Sequence, residues 1–381
     1  MVKHMAQSVD VAGSYSPAQV ATTALHLRAQ MGCPASVAFA FVSPDYLPHL
    51  EEFCEILRVD GHMTHVVGCT TTGRIESARE IEGGSGFSVL ALSCEASEPI
   101  ILESENIAHS SAEVRASWPG ATGWLALTNP FLFAADEWLT SWNKEFPHVP
   151  TVGGLASGGG DGEVGVFANG RMVDAVLIAS LGKTSILPVI SQGCRPIGEP
   201  LTVTRAENNV VYALGGGAAY EALESAFQTL SDSEKSNARG NLFAGLAGTE
   251  YLDDYKPGDF LIRNIIGADP ESGAVVIGGI PRIGQTLQYQ LRDRSVAEAD
   301  LARALAATPL DGRRAFASLL FSCVGRGQKF FGKPHHDAAR LASALGGKPT
   351  AGFFCNGEIA PVGGKNAVHG YTAAAAIWVE S

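Results

Sequence analysis

Three times along the 381-residue chain, a buried-strand pattern leads into an apolar helical stripe and returns as a short strand ending near glycine. The first unit opens with the run at 35–42, passes Ser43-Pro44 and the stripe Leu47, Leu50, Phe53, Cys54 and Leu57, and returns over 65–69. A hydroxyl followed by proline suits a helix start, and apolar residues at three- and four-residue steps make one face. The second unit opens at 124–128, uses Asn129-Pro130 and the stripe Trp138, Leu139, Trp142 and Phe146, and returns over 149–154. The third opens at 315–322, has a helix near 334–345, returns over 349–354 and closes with a strand at 371–379. Ser43 to Gly68 spans 25 positions, Asn129 to Gly154 spans 25, and Cys323 to Gly352 spans 29. Parallel strands need such crossovers. The repetition therefore predicts an α/β (α+β) fold: two domains of mixed β-sheets flanked by helices, built from repeated strand–helix–strand–strand units.

The stretch between the second and third units is of another kind. Strand patterns at 201–204 and 210–214 flank Glu207-Asn208-Asn209, and Gly215-Gly216-Gly217 leads into a helix with Tyr220, Leu223, Ala226, Phe227 and Leu230 on one face. Residues 231–241 read as an exposed polar loop, 260–266 pairs with 274–278, and 285–291 alternates as a strand. Ser295-Val296-Ala297-Glu298 has the form of a capping box. Earlier in the chain, Asn169-Gly170 between two strand patterns signals a hairpin. The turn-rich 191–200 marks a boundary, giving an N-terminal segment with the first helix at 1–33, one domain over 34–195 and another over 196–381.

A net charge of −12 argues against nucleic acid as a partner, because phosphate contacts need clustered Lys and Arg. Seven cysteines without a CxxC pair read as reduced thiols. No signal-peptide pattern and no membrane-length apolar run stand in the sequence, so the expectation is a cytoplasmic protein with no membrane partner. His62 and His65 would alternate onto opposite strand faces, and His335-His336 are adjacent. No metal and no cofactor is expected from that spacing.

Chemistry concentrates at the turns that leave the strands. Ser322-Cys323-Val324-Gly325-Arg326-Gly327 offers a thiol and a guanidinium, and Arg326 would grip a carboxylate through its planar fork. Asn356-Gly357-Glu358 offers an amide and a carboxylate, acceptors suited to an amino group; its plainer reading is a hairpin turn. Thr70, Thr71 and Thr72 beside Gly73 present hydroxyls, or serve only as good strand residues. Gly154 with Ser157-Gly158-Gly159-Gly160 has the look of a phosphate cradle but lacks the nucleotide signatures. If the strands they follow lie parallel, the turns at 322–327 and 355–358 share the carboxyl edge, where open α/β sheets hold ligands; whether the turns of the first two units face them stays open.

The motifs 67–73, 153–157 with Asn169-Gly170, 321–327 and 352–361, together with Thr372, resemble the FIST family, the F-box and intracellular signal transduction proteins. The likeness runs over nearly the whole chain. It implies a sensory module that binds a small ligand such as an amino acid and reports to a separate signalling protein. Two alternatives stay open: a thiol-dependent enzyme using Cys69 or Cys323, and a protein-interaction scaffold without a ligand.

Overall fold

Where the sequence runs apolar and β-branched the chain is extended, and it pairs as the crossovers require. In the computed structural model, which describes residues 4–159, 163–250, 252, 254–255, 258–310 and 312–380, Ala35–Val42 lies parallel to Met63–Thr70. Gly123–Thr128 likewise lies parallel to Thr151–Leu155, and Arg314–Cys323 to Thr350–Cys355. The fold is α+β in two domains. One compact unit comprises Met1–Ile190, Leu301–Val368 and Thr372–Ser381; the other comprises Ser191–Asp300 and His369–Tyr371. Among the described residues, no helix is long and apolar enough to cross a membrane.

In the first unit each parallel pair is the centre of its own six-stranded sheet. Closing strands Gly86–Ser93, Ala175–Ser180 and Thr372–Glu380 pair antiparallel with the first strand of each pair. Outer strands Met5–Ala12, Ile100–Leu102 and Thr184–Gln192 complete that side. The opposite side is filled from another repeat. The first repeat's hairpin, Gly73–Glu76 with Arg79–Glu82, pairs with Thr350–Cys355 of the third. The second repeat's hairpin, Val166–Ala168 with Arg171–Val173, pairs with Met63–Thr70 of the first. The third repeat's hairpin, Gly357–Val362 with Lys365–His369, pairs with Thr151–Leu155 of the second. The exchange is cyclic, and three repeats close a ring.

The inner faces of all three sheets share one core, in which Phe41, Leu127 and Phe321 take equivalent places. Each outer face carries helices. Pro17–Met31 and Leu50–Val59 cover the first sheet, Ile107–Ser117 and Ala135–Glu145 the second. His336–Ala344 and Leu301 of Arg294–Ala306 cover the third. The full repeat is thus outer strand, helix, strand, helix, strand, hairpin, strand, of which the strand–helix–strand–strand pattern is the middle. The second unit's sequence falls between the outer strand and first helix of the third repeat. The chain leaves the first unit at Ser191 and rejoins it at Leu301. It must, because its later strands complete sheets that the earlier repeats began.

The second unit is antiparallel. Thr286–Arg292 pairs on one side with Leu201–Glu207 and on the other with Leu242–Ala247. With Val210–Leu214, Ala274–Ile277 and Phe260–Asp269 between them, the sheet closes on itself. Its core joins Val203, Val211, Leu246 and Leu287 to Ala219 and Ala226 of the helix Ala219–Gln228. Two local readings are corrected here. The supposed loop at 231–241 contains a helix, Asp232–Asn237, with a full capping box between Ser231 and Glu234. At Arg294–Ala306 the cap is Asp293, whose Oδ1 accepts the Ser295 and Val296 amides at 2.8 and 3.1 Å, rather than Ser295.

The registers Ala40↔Gly68, Ala126↔Gly153 and Leu320↔Gly352 make these glycines equivalent, so Gly68 matches Gly153 and not its neighbour Gly154. A Cβ would sit 1.8 Å from the Ala40 carbonyl oxygen at Gly68, 1.8 Å from Ala126 at Gly153 and 1.9 Å from Leu320 at Gly352. No side chain fits there. Gly68→Ala is expected to lower stability by about 3 kcal/mol in chemical denaturation. Gly120→Ala, where a Cβ meets open space, should leave the midpoint unchanged.

Candidate functional site

The segments leaving the three parallel pairs meet at one end of the first unit. Thr70 ends its strand with its Oγ1 accepting the Gly165 amide at 2.9 Å. Thr71 Oγ1 donates to the Gly73 carbonyl at 2.6 Å and so shapes the turn into the exchanged hairpin. Ser157, from the second repeat, donates to the Phe354 carbonyl of the third at 2.6 Å and accepts the Thr72 amide of the first at 3.1 Å. Asn356 donates through Nδ2 to Ala156 at 3.0 Å. Gly154 lies opposite Glu358 in the sheet, and a Cβ there would sit 2.5 Å from Cys355 Sγ. Thr72 and Asn356 are exposed; Thr70, Thr71, Gly154, Ser157, Cys323, Arg326 and Glu358 are buried. Segments from all three repeats are therefore neighbours here, an arrangement the sequence leaves open. Gly160 of the glycine run lies outside the described residues.

Arg326 does not offer its fork to solvent. Nε and Nη2 donate to Asp337 Oδ2 and Oδ1 at 2.6 and 2.9 Å, both side chains being buried, and the guanidinium lies 5.1 Å from the Phe331 ring centroid. The carboxylate expected in that fork is supplied by the chain itself. Burial opposes ionisation of Asp337, but Arg326 and the His336 hydrogen bond outweigh it and hold the carboxyl well below its usual range. Burial likewise works against the Arg326 charge, and Asp337, Cys323 and Glu358 overcome it.

Glu358 is fully buried. Burial pushes its carboxyl well above the usual range, against the Thr372 amide, which donates to Oε2 at 3.2 Å, and against Arg326 and the Cys323 thiol. Among the described residues, Oε1 has no hydrogen-bond partner. Burial thus favours the protonated form of this group, and one of its oxygens is unused among the described residues. Cys69 and Cys355 lie close together, and burial pushes both thiols well above their usual range, with Glu358 adding to the effect on Cys355.

Sequence reading missed Asp337 and Glu80. Glu80 comes from the exchanged hairpin of the first repeat, and its Oε1 accepts the Asp337 and Ala338 amides at 2.9 Å each, capping the helix His336–Ala344. Burial and the neighbouring Asp337 push it up to about 7. No local signal links residues so far apart in number. Asp337 stands in the first turn of its helix, where an acidic residue ordinarily complements the dipole, so its position alone carries no distinguishing signal.

Two family models cover the chain: the FIST N domain matches residues 36–217 and the FIST C domain residues 219–361. The chain belongs to the FIST family. An uncharacterized protein of Mycobacterium tuberculosis is 33% identical over 368 residues, covering 94% of this chain and 96% of its own. An uncharacterized protein of Mycobacterium bovis is 38% identical over 260 residues, 67% of each chain. FIST membership suggests a sensory role in signal transduction. The matched FIST C region contains Cys323, Arg326, Asn356 and Glu358, and the FIST N region contains Thr70, Thr71, Thr72, Gly154 and Ser157.

The buried carboxyls set a pH dependence. Below about pH 4.5 Glu80 is protonated folded or unfolded; above it the unfolded chain sheds the proton first, while the folded chain holds it to about 7. Stability therefore falls as pH rises through this window, by about 3 kcal/mol from this group. Glu80→Gln is expected to flatten the fall in denaturation midpoints between pH 5 and 8, leaving a smaller slope of the same sign from Glu358.

Proposed function

We propose that this chain is a sensory protein that binds a small polar ligand, an amino acid being the first class to test, and passes occupancy to a separate signalling protein. The observation that carries the reading is Glu358, a buried carboxyl with Oε1 unmatched, beside Cys323 and Arg326. Buried polar groups are nearly always satisfied, and an unmatched carboxyl oxygen calls for a water, an ion or a ligand, of which this reading takes the ligand. An amino group would fill that place, with the exposed Thr72 and Asn356 at the rim of the same cluster. Arg326 then serves as a positioning residue, holding charge near Glu358 while Asp337 fixes its plane. Binding would shift the chain between states by its differential affinity. The reduced thiols fit a reducing, intracellular setting.

The thiol-enzyme alternative finds little support at Cys69, because a nucleophile needs thiolate and burial holds that proton on.

An ammonium ion arriving at a protonated Glu358 draws its proton off, so affinity should rise with pH and binding should release a proton to the buffer. A thermal-shift screen with amino acids, followed by calorimetry in buffers of different ionisation enthalpy, checks both. Glu358→Gln should weaken an amine-bearing hit about tenfold or more. A hit that binds the Glu358→Gln variant as tightly as the wild-type chain, with no proton release from either, would remove this residue from the site.

A further inference from the structure

Backbone amides on the crossing segments donate inward, to the chain itself. The Thr71 amide donates to the Val42 carbonyl at 2.8 Å, and the Gly73 amide to Thr71 Oγ1 at 3.0 Å. The Val324 amide donates to Cys355 at 2.9 Å and the Asn356 amide to Leu155 at 3.0 Å. Amides turned outward together make a cradle for an anion, and these are turned in. The glycine loop after Ser157 is another place where a carboxylate could seek amides. There the chain sets an acid: exposed Glu163 lies against the loop, and a Cβ on Gly159 would fall 1.9 Å from its Oε2.

Positive charge is committed in the same way. Within 70–74, 154–158, 322–327 and 355–358 the basic side chains are Arg74 and Arg326, both buried. Asp337 fills the fork of Arg326. Arg74 donates through Nε to Asp10 at 2.7 Å and through Nη1 to the Gly84 carbonyl at 2.9 Å. Each guanidinium has an aspartate of its own. The next basic residue along the chain, Lys329, is exposed beyond the turn. Thr72 and Asn356 at the rim leave a ligand a hydroxyl and the second Nδ2 hydrogen, which are neutral donors. A carboxylate that exchanges its water for neutral donors alone loses free energy.

We infer that the site selects a small primary amine that carries no carboxylate. This rests on the reading of Glu358 as the group that receives the ammonium, and narrows it: an amino acid is held by its amino end alone. The test uses three matched sets of probes on the full chain, built on glycine, valine and phenylalanine. Each set holds the amino acid, its carboxamide and the amine left when the carboxylate is removed. Calorimetry compares them at a pH where every probe carries an ammonium group. The carboxamide keeps the size of the carboxylate without its charge. In the set that fits best, the amine and the carboxamide should each bind at least about tenfold more tightly than the amino acid. Glu358→Gln should weaken all three. An amino acid that binds the wild-type chain as tightly as its carboxamide overturns the narrowing and leaves the Glu358 reading standing. A carboxamide as weak as the amino acid beside a tight amine does the same, because bulk and not charge is then excluded. Failure of every set to bind, or binding unchanged by Glu358→Gln, overturns the Glu358 reading and this inference with it.

Discussion

The exchange of hairpins is the constraint on which the first unit depends. Each six-stranded sheet lacks one side until another repeat supplies it, and an unfilled edge would leave a row of unpaired amides and carbonyls. No repeat can finish its own sheet. That is why strands as late as Thr350–Cys355 and Thr372–Glu380 pack with the first half of the chain. The exchange also builds the candidate site. A segment leaving one sheet for another must cross the end of the shared core, and three such crossings bring 70–73, 156–157 and 356–358 together. The hydrogen bonds from Ser157 to Phe354 and from Thr72 to Ser157 are the seams between repeats.

What was legible in the sequence was what is decided locally. Apolar runs with crossovers gave the three parallel pairs, and Asn169-Gly170 gave its hairpin, with φ of 50° and 87° at the two turn residues. What was not legible was what is decided at a distance. The Asn129-Pro130 helix start failed because Asn129 Oδ1 accepts the Phe131 amide at 3.0 Å and holds a turn, so the helix begins only at Ala135. Short strands such as Arg79–Glu82 and Ile100–Leu102 carry too little pattern to be seen, and they exist because a neighbouring edge needs covering. Arg326 was read as a ligand clamp for the same reason: its partner Asp337 sits in a separate helix.

The buried charges are better read as specifying geometry than as adding stability. A bidentate pair such as Arg326–Asp337 gives up two hydration shells, and hydrophobic replacements are often no worse. Removing one partner is a different matter, since an uncompensated buried charge costs about 3–5 kcal/mol. The pair therefore locks the turn at 323–327 onto the helix at 336–344. Glu80 locks that helix in turn onto a hairpin from another repeat. The polar network holds the crossing segments in one arrangement.

The internal symmetry separates what the fold demands from what it leaves open. Gly68, Gly153 and Gly352 are the same residue because a carbonyl oxygen occupies the space of any side chain. One position on, Cys69, Gly154 and Phe353 differ, and their antiparallel partners Val166, Glu358 and Arg74 differ too. Backbone geometry is common to the three, so it cannot be what selects an apolar group, an acid and a base. Val166 needs no polar partner, and Arg74 has Asp10 at 2.7 Å and the Gly84 carbonyl at 2.9 Å. Glu358 has the Thr372 amide on one oxygen and, among the described residues, no partner on the other. Of three equivalent places in one ring, two are chemically complete. The third keeps a buried oxygen that neither the fold nor its own network accounts for, and a ligand would give that oxygen its partner.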